Sequence, residues 1–312
     1  MGKVEGMLPS NRGRHFFIGA LSGVLANVLL GLSSVFWKYI GSLSALALLS
    51  YRVYLSLLTV FLVVYAGREL RPLFAQLNIR LLILHAVAAI LIAINWGTFI
   101  WASVHGRVLE SSLGYLVAPI LSIAMGIVVY KEPVTVFKAV AVLMMLISVV
   151  SLFVLSNDLD IRVYLGIGLA WGFYSCLKKM TSLNVFSGLL LESLVLSFFC
   201  TLFFIFSDLG MAIPDDFGLW RTLLVFSCGV VSIIPLALFS FSAKRLSVMS
   251  MGLSQFVLPL TQFFVAMIIY KQTASPITVM ALLVVIIGLL VVVFEPIPKK
   301  LCFCGGGGQD EE

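Results

Sequence analysis

The stretch Arg107–Glu132 reads RVLESSLGYLVAPILSIAMGIVVYKE, an apolar run of spanning length with a central proline (Pro119), an acid near its start (Glu110) and charges at its end (Lys131, Glu132). Some 140 residues later, Arg245–Gln272 repeats the plan as RLSVMSMGLSQFVLPLTQFFVAMIIYKQ. Pro119 and Pro259 are each followed eleven residues on by Tyr-Lys, at Tyr130-Lys131 and at Tyr270-Lys271. Two separated copies of one segment predict a chain built by internal duplication.

The rest of the chain extends the pattern. Of its 312 residues 61% are hydrophobic and 11% charged, and its mean hydropathy is +1.14. Soluble domains carry roughly 25% charged residues, so this composition belongs in a bilayer. Apolar runs lie near 16–36, 43–66, 80–102, 108–130, 135–156, 163–180, 186–207, 220–242, 247–270 and 276–295, ten in all. Each approaches the ~20 residues a spanning helix needs. The runs are apolar on all sides, without the alternation of a membrane β-barrel. The expected fold is an all-α integral membrane protein of ten transmembrane helices.

The second half restarts the first. Gly172, Ser175 and Lys179 match Gly31, Ser34 and Lys38 at a shift of 141, and Glu192 follows Arg52 by 140. Five helices per half is an odd number, so the halves are expected to be inverted relative to each other, an architecture recurrent in secondary transporters. The expected organisation is a cytoplasmic head (1–15), a first repeat (16–156), a linker (157–162), a second repeat (163–296) and a flexible cytoplasmic tail (297–312). Pro119 and Pro259, near the middles of their helices, are candidate hinges, since proline frees a backbone carbonyl and bends a helix.

The net charge of +6 does not point to nucleic acid, because of where the charges fall. With the amino terminus inside, 14 of the 20 basic residues fall on inside segments and 5 outside, Arg52 remaining within the membrane. Short cytoplasmic loops carry this excess, which places both termini in the cytoplasm. Lys178 and Lys179 count among the inside charges, and Lys38 reads either as snorkelling to headgroups or as a charge facing an outer cavity. Five cysteines, three of them within spans, suggest no disulfide framework. No Gly-x-x-x-x-Gly-Lys-Ser/Thr loop is present, and no histidine pair has metal-ligand spacing, so no nucleotide, cofactor or metal is expected. Neither is an enzyme.

An arginine some ten residues into a span costs roughly 2.5–3.5 kcal/mol on insertion scales and calls for a partner or a wet cavity. Arg52 and Glu192 are therefore expected to pair, with each other or with cavity groups, or to serve in coupling.

Dispersed words in the chain resemble the drug/metabolite transporter superfamily, specifically EamA-type proteins of the RarD-like (chloramphenicol-sensitivity) branch. They are Tyr51-Arg52, Asn95-Trp96 with Ile100-Trp101, Leu109 to Tyr115 (LESSLGY) with Pro119, Gly172-Phe173-Tyr174 with Lys178-Lys179, Ser187-Gly188 with Leu191-Glu192, Pro235, and Lys244-Arg245-Leu246 leading to Gly252, Gln255 and Pro259. The likeness covers about 20 to 295 in one order. It departs at Lys271-Gln272, where the family commonly has Gly-Glu, and at Leu30, where it favours tryptophan.

The resemblance implies two inverted EamA repeats around a central cavity and transport of small metabolites or drugs across a bacterial inner membrane. Export is the leading expectation; uptake or exchange of an amino acid or an S-adenosylmethionine-type metabolite is the alternative. It places Asn95, Trp96, Trp101, Glu110, Tyr115, Tyr174, Lys179 and Gln255 on cavity-lining helices as candidate substrate-binding residues. Aromatic faces with a carboxylate suit a cationic or zwitterionic ligand. Membrane lipid is the only other expected partner.

Overall fold

The fold is described from a computed structural model, which describes residues 9–155, 160–207, 213 and 217–293, with side chains at 13–292. The tail at 297–312, half of the linker (157–159) and the first eight residues of the head lie outside them.

The described residues form thirteen helices and no strand: α1 (Pro9–Tyr39), α2 (Ala45–Ala66), α3 (Leu70–Gln76), α4 (Ile79–Val104), α5 (Val108–Tyr115), α6 (Val117–Val128), α7 (Val136–Leu155), α8 (Ile161–Met180), α9 (Val185–Ile205), α10 (Gly218–Ala243), α11 (Val248–Gln255), α12 (Val257–Ile268) and α13 (Pro276–Val293). Eight stretches are long and apolar enough to cross a membrane, with α5–α6 and α11–α12 each counting as one. Helix α8 carries Arg162, Lys178 and Lys179, and α13 is shorter; these are the two segments by which the sequence reading of ten exceeds that number. The chain is a multi-pass membrane protein.

Several ends differ from expectation. Helix α1 begins at Pro9, inside the segment read as a head, because proline is tolerated in the first helical turn. Helix α8 begins at Ile161, within the expected linker, where the Asp160 carboxylate accepts from the Arg162 N–H at 2.9 Å. Side-chain caps likewise start α2 (Ser44), α4 (Asn78), α9 (Asn184) and α11 (Ser247), each satisfying one of the orphan donors of a first turn.

The two proline segments are broken helices. The break falls at Leu116 between α5 and α6 and at Phe256 between α11 and α12, three residues before Pro119 and Pro259 respectively. A proline cannot donate to the carbonyl four residues back and its ring crowds that carbonyl, so the ladder parts one turn upstream.

Packing follows the same correspondence. Helix α1 lies against α10 and α12, and α8 lies against α4 and α6; α5 meets α12 while α11 meets α6. Helices α2 and α9 pack together, as do α7 and α13. The glycines at the 141-residue shift allow the close crossings. A Cβ on Gly31 would sit 2.6 Å from Thr261 Cβ, and one on Gly172 would sit 2.7 Å from Leu121 Cδ1. Small residues of this kind let membrane helices approach where no hydrophobic force drives them together. Large apolar side chains such as Phe137, Phe198, Phe206 and Trp220 face outward, as lipid requires.

Candidate functional site

The interior is built around four aromatic residues from three helices. Trp37 ends α1, Trp96 lies late in α4, and Trp171 and Tyr174 share one face of α8; all are buried. Trp171 stacks on Tyr174 at 5.5 Å between centroids and meets Tyr115 edge-on at 6.3 Å. The Tyr115 hydroxyl donates to Asn95 Oδ1 at 3.0 Å, while the Asn95 amide reaches the Ile167 carbonyl at 3.4 Å. Of the residues expected to line a cavity, Asn95, Trp96, Tyr115 and Tyr174 are thus brought into one buried group. Gln255 lies at a neighbouring crossing, where its amide donates to Ser122 Oγ at 3.0 Å and Ser122 meets Ser175 at 2.9 Å.

Arg52 and Glu192 do not pair with each other. Their helices run antiparallel, as Asn184–Glu69 (3.0 Å) at one end and Cys200–Ser50 (3.4 Å) at the other show, with Tyr54–Thr201 (2.8 Å) beside the latter. Arg52 therefore sits level with the end of α9 near Thr201, and Glu192 lies nine residues further along, or about 13 Å at 1.5 Å per residue. Each charge has found its own surroundings.

Glu192 is enclosed by donors. Lys178 Nζ and His85 Nδ1 both reach Oε1, at 2.8 and 2.9 Å, and the Tyr174 hydroxyl donates to Oε2 at 3.0 Å. His85 Nε2 in turn meets Thr181 Oγ1 at 2.9 Å, and Gly188 leaves room for the imidazole beside α9. A buried ion pair is tolerated only where further hydrogen bonds satisfy the remaining lone pairs, and here three donors do so. Lys178, which the charge pattern counts among the inside charges, is thus a structural partner of Glu192. The sequence reading passed over it and His85, although Tyr174 and Lys178 stand one turn apart on a helix face that also carries Trp171.

Arg52 has no carboxylate. Its guanidinium carbon lies 3.8 Å from the Trp96 ring centroid and 5.0 Å from that of Trp37. Nε and Nη1 are buried without a hydrogen-bond partner, as is Trp37 Nε1. Cation–π attraction reaches roughly 2 kcal/mol per desolvated ring, whereas removing a guanidinium from water costs several. The rings offset part of that cost and leave donors unmet.

Trp101 and Glu110 belong to a different place. Trp101 stacks on His105 at the end of α4 and, with Gly97, Thr98, Asp160, Arg162 and Val163, borders a cavity of about 390 Å³. Arg107 bridges Glu110 and Asp160 there, at 3.5 and 3.6 Å. His85 and Trp101 are sixteen residues apart on one helix, or about 24 Å, so this cavity and the Glu192 cluster occupy opposite ends of the bundle.

Three further lysines bond backbone carbonyls at or near helix ends. Lys179 Nζ donates to the Ala243 carbonyl at 2.9 Å and also to Leu246, and Lys244 Nζ donates to Leu183. Burial, with the Lys178 ammonium nearby, holds the Lys244 pKa below the usual lysine value. Lys38 donates to the Ile269 carbonyl at 3.0 Å and lies 4.5 Å over the Tyr270 ring, so it ties α1 to the end of α12. Cations are favoured at helix C-termini. Among the described residues no group of three or more His, Cys, Asp or Glu is placed to hold a metal.

The two broken helices hold each other's starts. Glu132, following α6, accepts from the Val248 and Met249 N–H groups of α11 at 2.6 and 2.9 Å. Gln272, following α12, accepts from the Leu109 N–H of α5 at 2.9 Å and donates to the Gly106 carbonyl at 2.6 Å. Lys131 and Lys271, one residue before each cap, both turn the chain at positive φ, 50° and 55°. The departure at Lys271-Gln272 therefore keeps the interaction and changes its charge.

No model of a known protein family matches the sequence. The chain is similar to YojE, an uncharacterized transporter of Bacillus subtilis, at 32% identity over 265 residues, 82% of this chain and 87% of that one. It is 31% identical to the protein RarD of Streptomyces exfoliatus over 265 residues, 83% of this chain and 82% of the relative. RarD of Escherichia coli K12 matches at 26% over 256 residues, 81% and 86% of the two chains. A solved crystal structure superposes with a TM-score of 0.63 at 15% identity, covering 88% of this chain and 96% of its own, a likeness of fold alone. Interior architecture and relatives agree: the chain belongs to the RarD-like family of membrane transporters.

Proposed function

We propose that this transporter is a secondary carrier that exports a small amphiphilic metabolite or drug across the bacterial inner membrane by alternating access. Its ten spans form two inverted five-helix repeats with both termini cytoplasmic. The observation that carries the reading is the reciprocal capping of the broken helices, Glu132 on α11 and Gln272 on α5 at a 140-residue shift. Each half so grips the other at the same point, and the same helix pairings recur in both senses. Between them lie Asn95, Trp96, Tyr115 and Tyr174, all shut from solvent, with Gln255 beside them. Such a buried aromatic and polar group at the interface of two repeats is where a carrier of this design holds its substrate. Pro119 and Pro259 supply the points about which the half-helices move.

The test is reconstitution of the purified protein in liposomes loaded with candidate metabolites and drugs, with efflux and uptake followed in parallel. Saturable efflux abolished by Tyr115→Ala supports export. Net accumulation of an amino acid or adenosyl compound inside whole cells would replace export with uptake, and no protein-dependent flux of any compound would overturn the carrier reading.

A further inference from the structure

We propose that Arg52 is the anion anchor of the substrate site, and that the substrate class is an organic carboxylate on a flat apolar body. This rests on the carrier reading and adds the chemistry of what is carried.

The inference comes from the balance of charge in the interior. Glu192 already accepts from Lys178, His85 and Tyr174, so it offers no free negative charge to a cationic ligand. Glu110 faces Arg107 at the far cavity and stands apart from the buried group. The one buried charge left uncompensated among the described residues is positive. Arg52 is 2% exposed, and two of its nitrogens, with the neighbouring Trp37 Nε1, have hydrogens and nothing to receive them. A guanidinium stays charged in any protein environment, and an intramembrane charge without a partner marks a functional site. What would satisfy it is a planar anion, because a carboxylate presents two oxygens to the guanidinium fork.

The surroundings choose the rest of the molecule. Trp96 covers one face of the guanidinium at 3.8 Å and Trp37 lies at 5.0 Å. Tyr115, with Phe99 edge-on at 6.1 Å and Trp171 at 6.3 Å, continues the aromatic wall. Flat apolar surfaces of this kind receive a flat apolar body by stacking. The sequence-based expectation of a cationic or zwitterionic ligand placed weight on the acids; their engagement reverses the sign.

The experiment is a charge series of one shape on the full-length protein in detergent: phenylacetate, phenylacetamide and phenethylamine, titrated by quenching of tryptophan fluorescence. The expected result is phenylacetate affinity at least tenfold above that of the amide and the amine. Arg52→Gln should remove that advantage and Arg52→Lys should retain part of it. The wild-type series needs no variant, so a misfolded Arg52→Gln protein does not rescue the idea. An amine or amide bound as tightly as the carboxylate overturns it, as does a folded Arg52→Gln protein with unchanged selectivity, or absence of saturable binding by all three. In liposomes, Arg52-dependent binding of phenylacetate without flux of any compound would sink the carrier reading and leave the anchor. Flux of the amine that is indifferent to Arg52→Gln would sink the anchor and leave the carrier.

Discussion

Lys178 Nζ and Glu192 Oε1 lie 2.8 Å apart with both side chains no more than 4% exposed, joining α8 to α9 inside the bundle. Removing one member of such a pair strands a charge and costs about 3–5 kcal/mol, whereas replacing both with apolar or neutral groups is often near neutral. Glu192→Gln leaves the Lys178 ammonium without a counter-charge. Lys178→Met leaves Glu192 with donors from His85 and Tyr174. Thermal unfolding in detergent should therefore rank Glu192→Gln as the more damaging single change, with the double variant above it. A double variant whose loss equals the sum of the two single losses would show that the two residues act independently.

That pair also shows what the sequence could and could not tell. The 140-residue shift puts Arg52 and Glu192 at matching points early in α2 and α9, and because those helices run antiparallel the two residues lie at different depths. Of the pairings expected for them, the contact with each other is not formed and the one with interior groups is, for Glu192 through Lys178 and His85. Each residue pairs instead with what stands at the 141-residue shift of the other's partner: Glu192 with Lys178, Arg52 with Trp37. The prolines were legible because proline acts through the backbone wherever it stands. Lys178 was not, because it adjoins Lys179 at a helix end and so looked like another cytoplasmic charge. His85, six residues into α4, gave no signal except an odd polar side chain in an apolar run.

The reciprocal caps predict a graded response. Glu132 gives both carboxylate oxygens to the first N–H groups of α11. Such charge-assisted bonds at a helix start exceed the typical ~1 kcal/mol of a neutral cap. Glu132→Gln keeps an acceptor and should cost less than Glu132→Leu, and Gln272→Leu should fall between the two, since it removes a neutral cap. Midpoints of thermal unfolding for the three variants decide the order. Gln272→Leu as stable as wild type would remove Gln272 from the role given to it.

The glycine crossings separate two kinds of tight packing. A Cβ on Gly31 would meet Thr261 Cβ at 2.6 Å and the Leu258 carbonyl at 3.1 Å, atoms that move only with the backbone. One on Gly172 would meet Leu121 Cδ1 at 2.7 Å, the tip of a side chain that can change rotamer, while the neighbours that move only with the backbone are looser, Leu121 Cβ at 3.2 Å and Ala118 Cα at 3.3 Å. Overpacking of this sort costs about 1–3 kcal/mol. Gly31→Ala should take the upper part of that range and Gly172→Ala the lower. Equal losses would mean that Leu121 is as firmly held as the α12 backbone.

Pro119 and Pro259 predict a difference between stability and turnover. Restoring an N–H at 119 lets the Tyr115 carbonyl regain its helical partner, and an N–H at 259 does the same for Gln255. Pro119→Ala and Pro259→Ala should therefore unfold no earlier than wild type. If the breaks at Leu116 and Phe256 are where the half-helices move, healing them makes the moving elements stiffer. Initial flux in liposomes should then fall several-fold for each variant while binding of the transported compound changes little, since neither proline ring faces the Arg52 surroundings through any bond described above. The Ser112 hydroxyl, which donates to the Pro259 carbonyl at 2.7 Å, gives a control at the same crossing. Ser112→Ala removes that bond and leaves the break, so it should lower stability by about 1 kcal/mol without matching the loss of flux. Full flux in both proline variants would assign the breaks to packing alone.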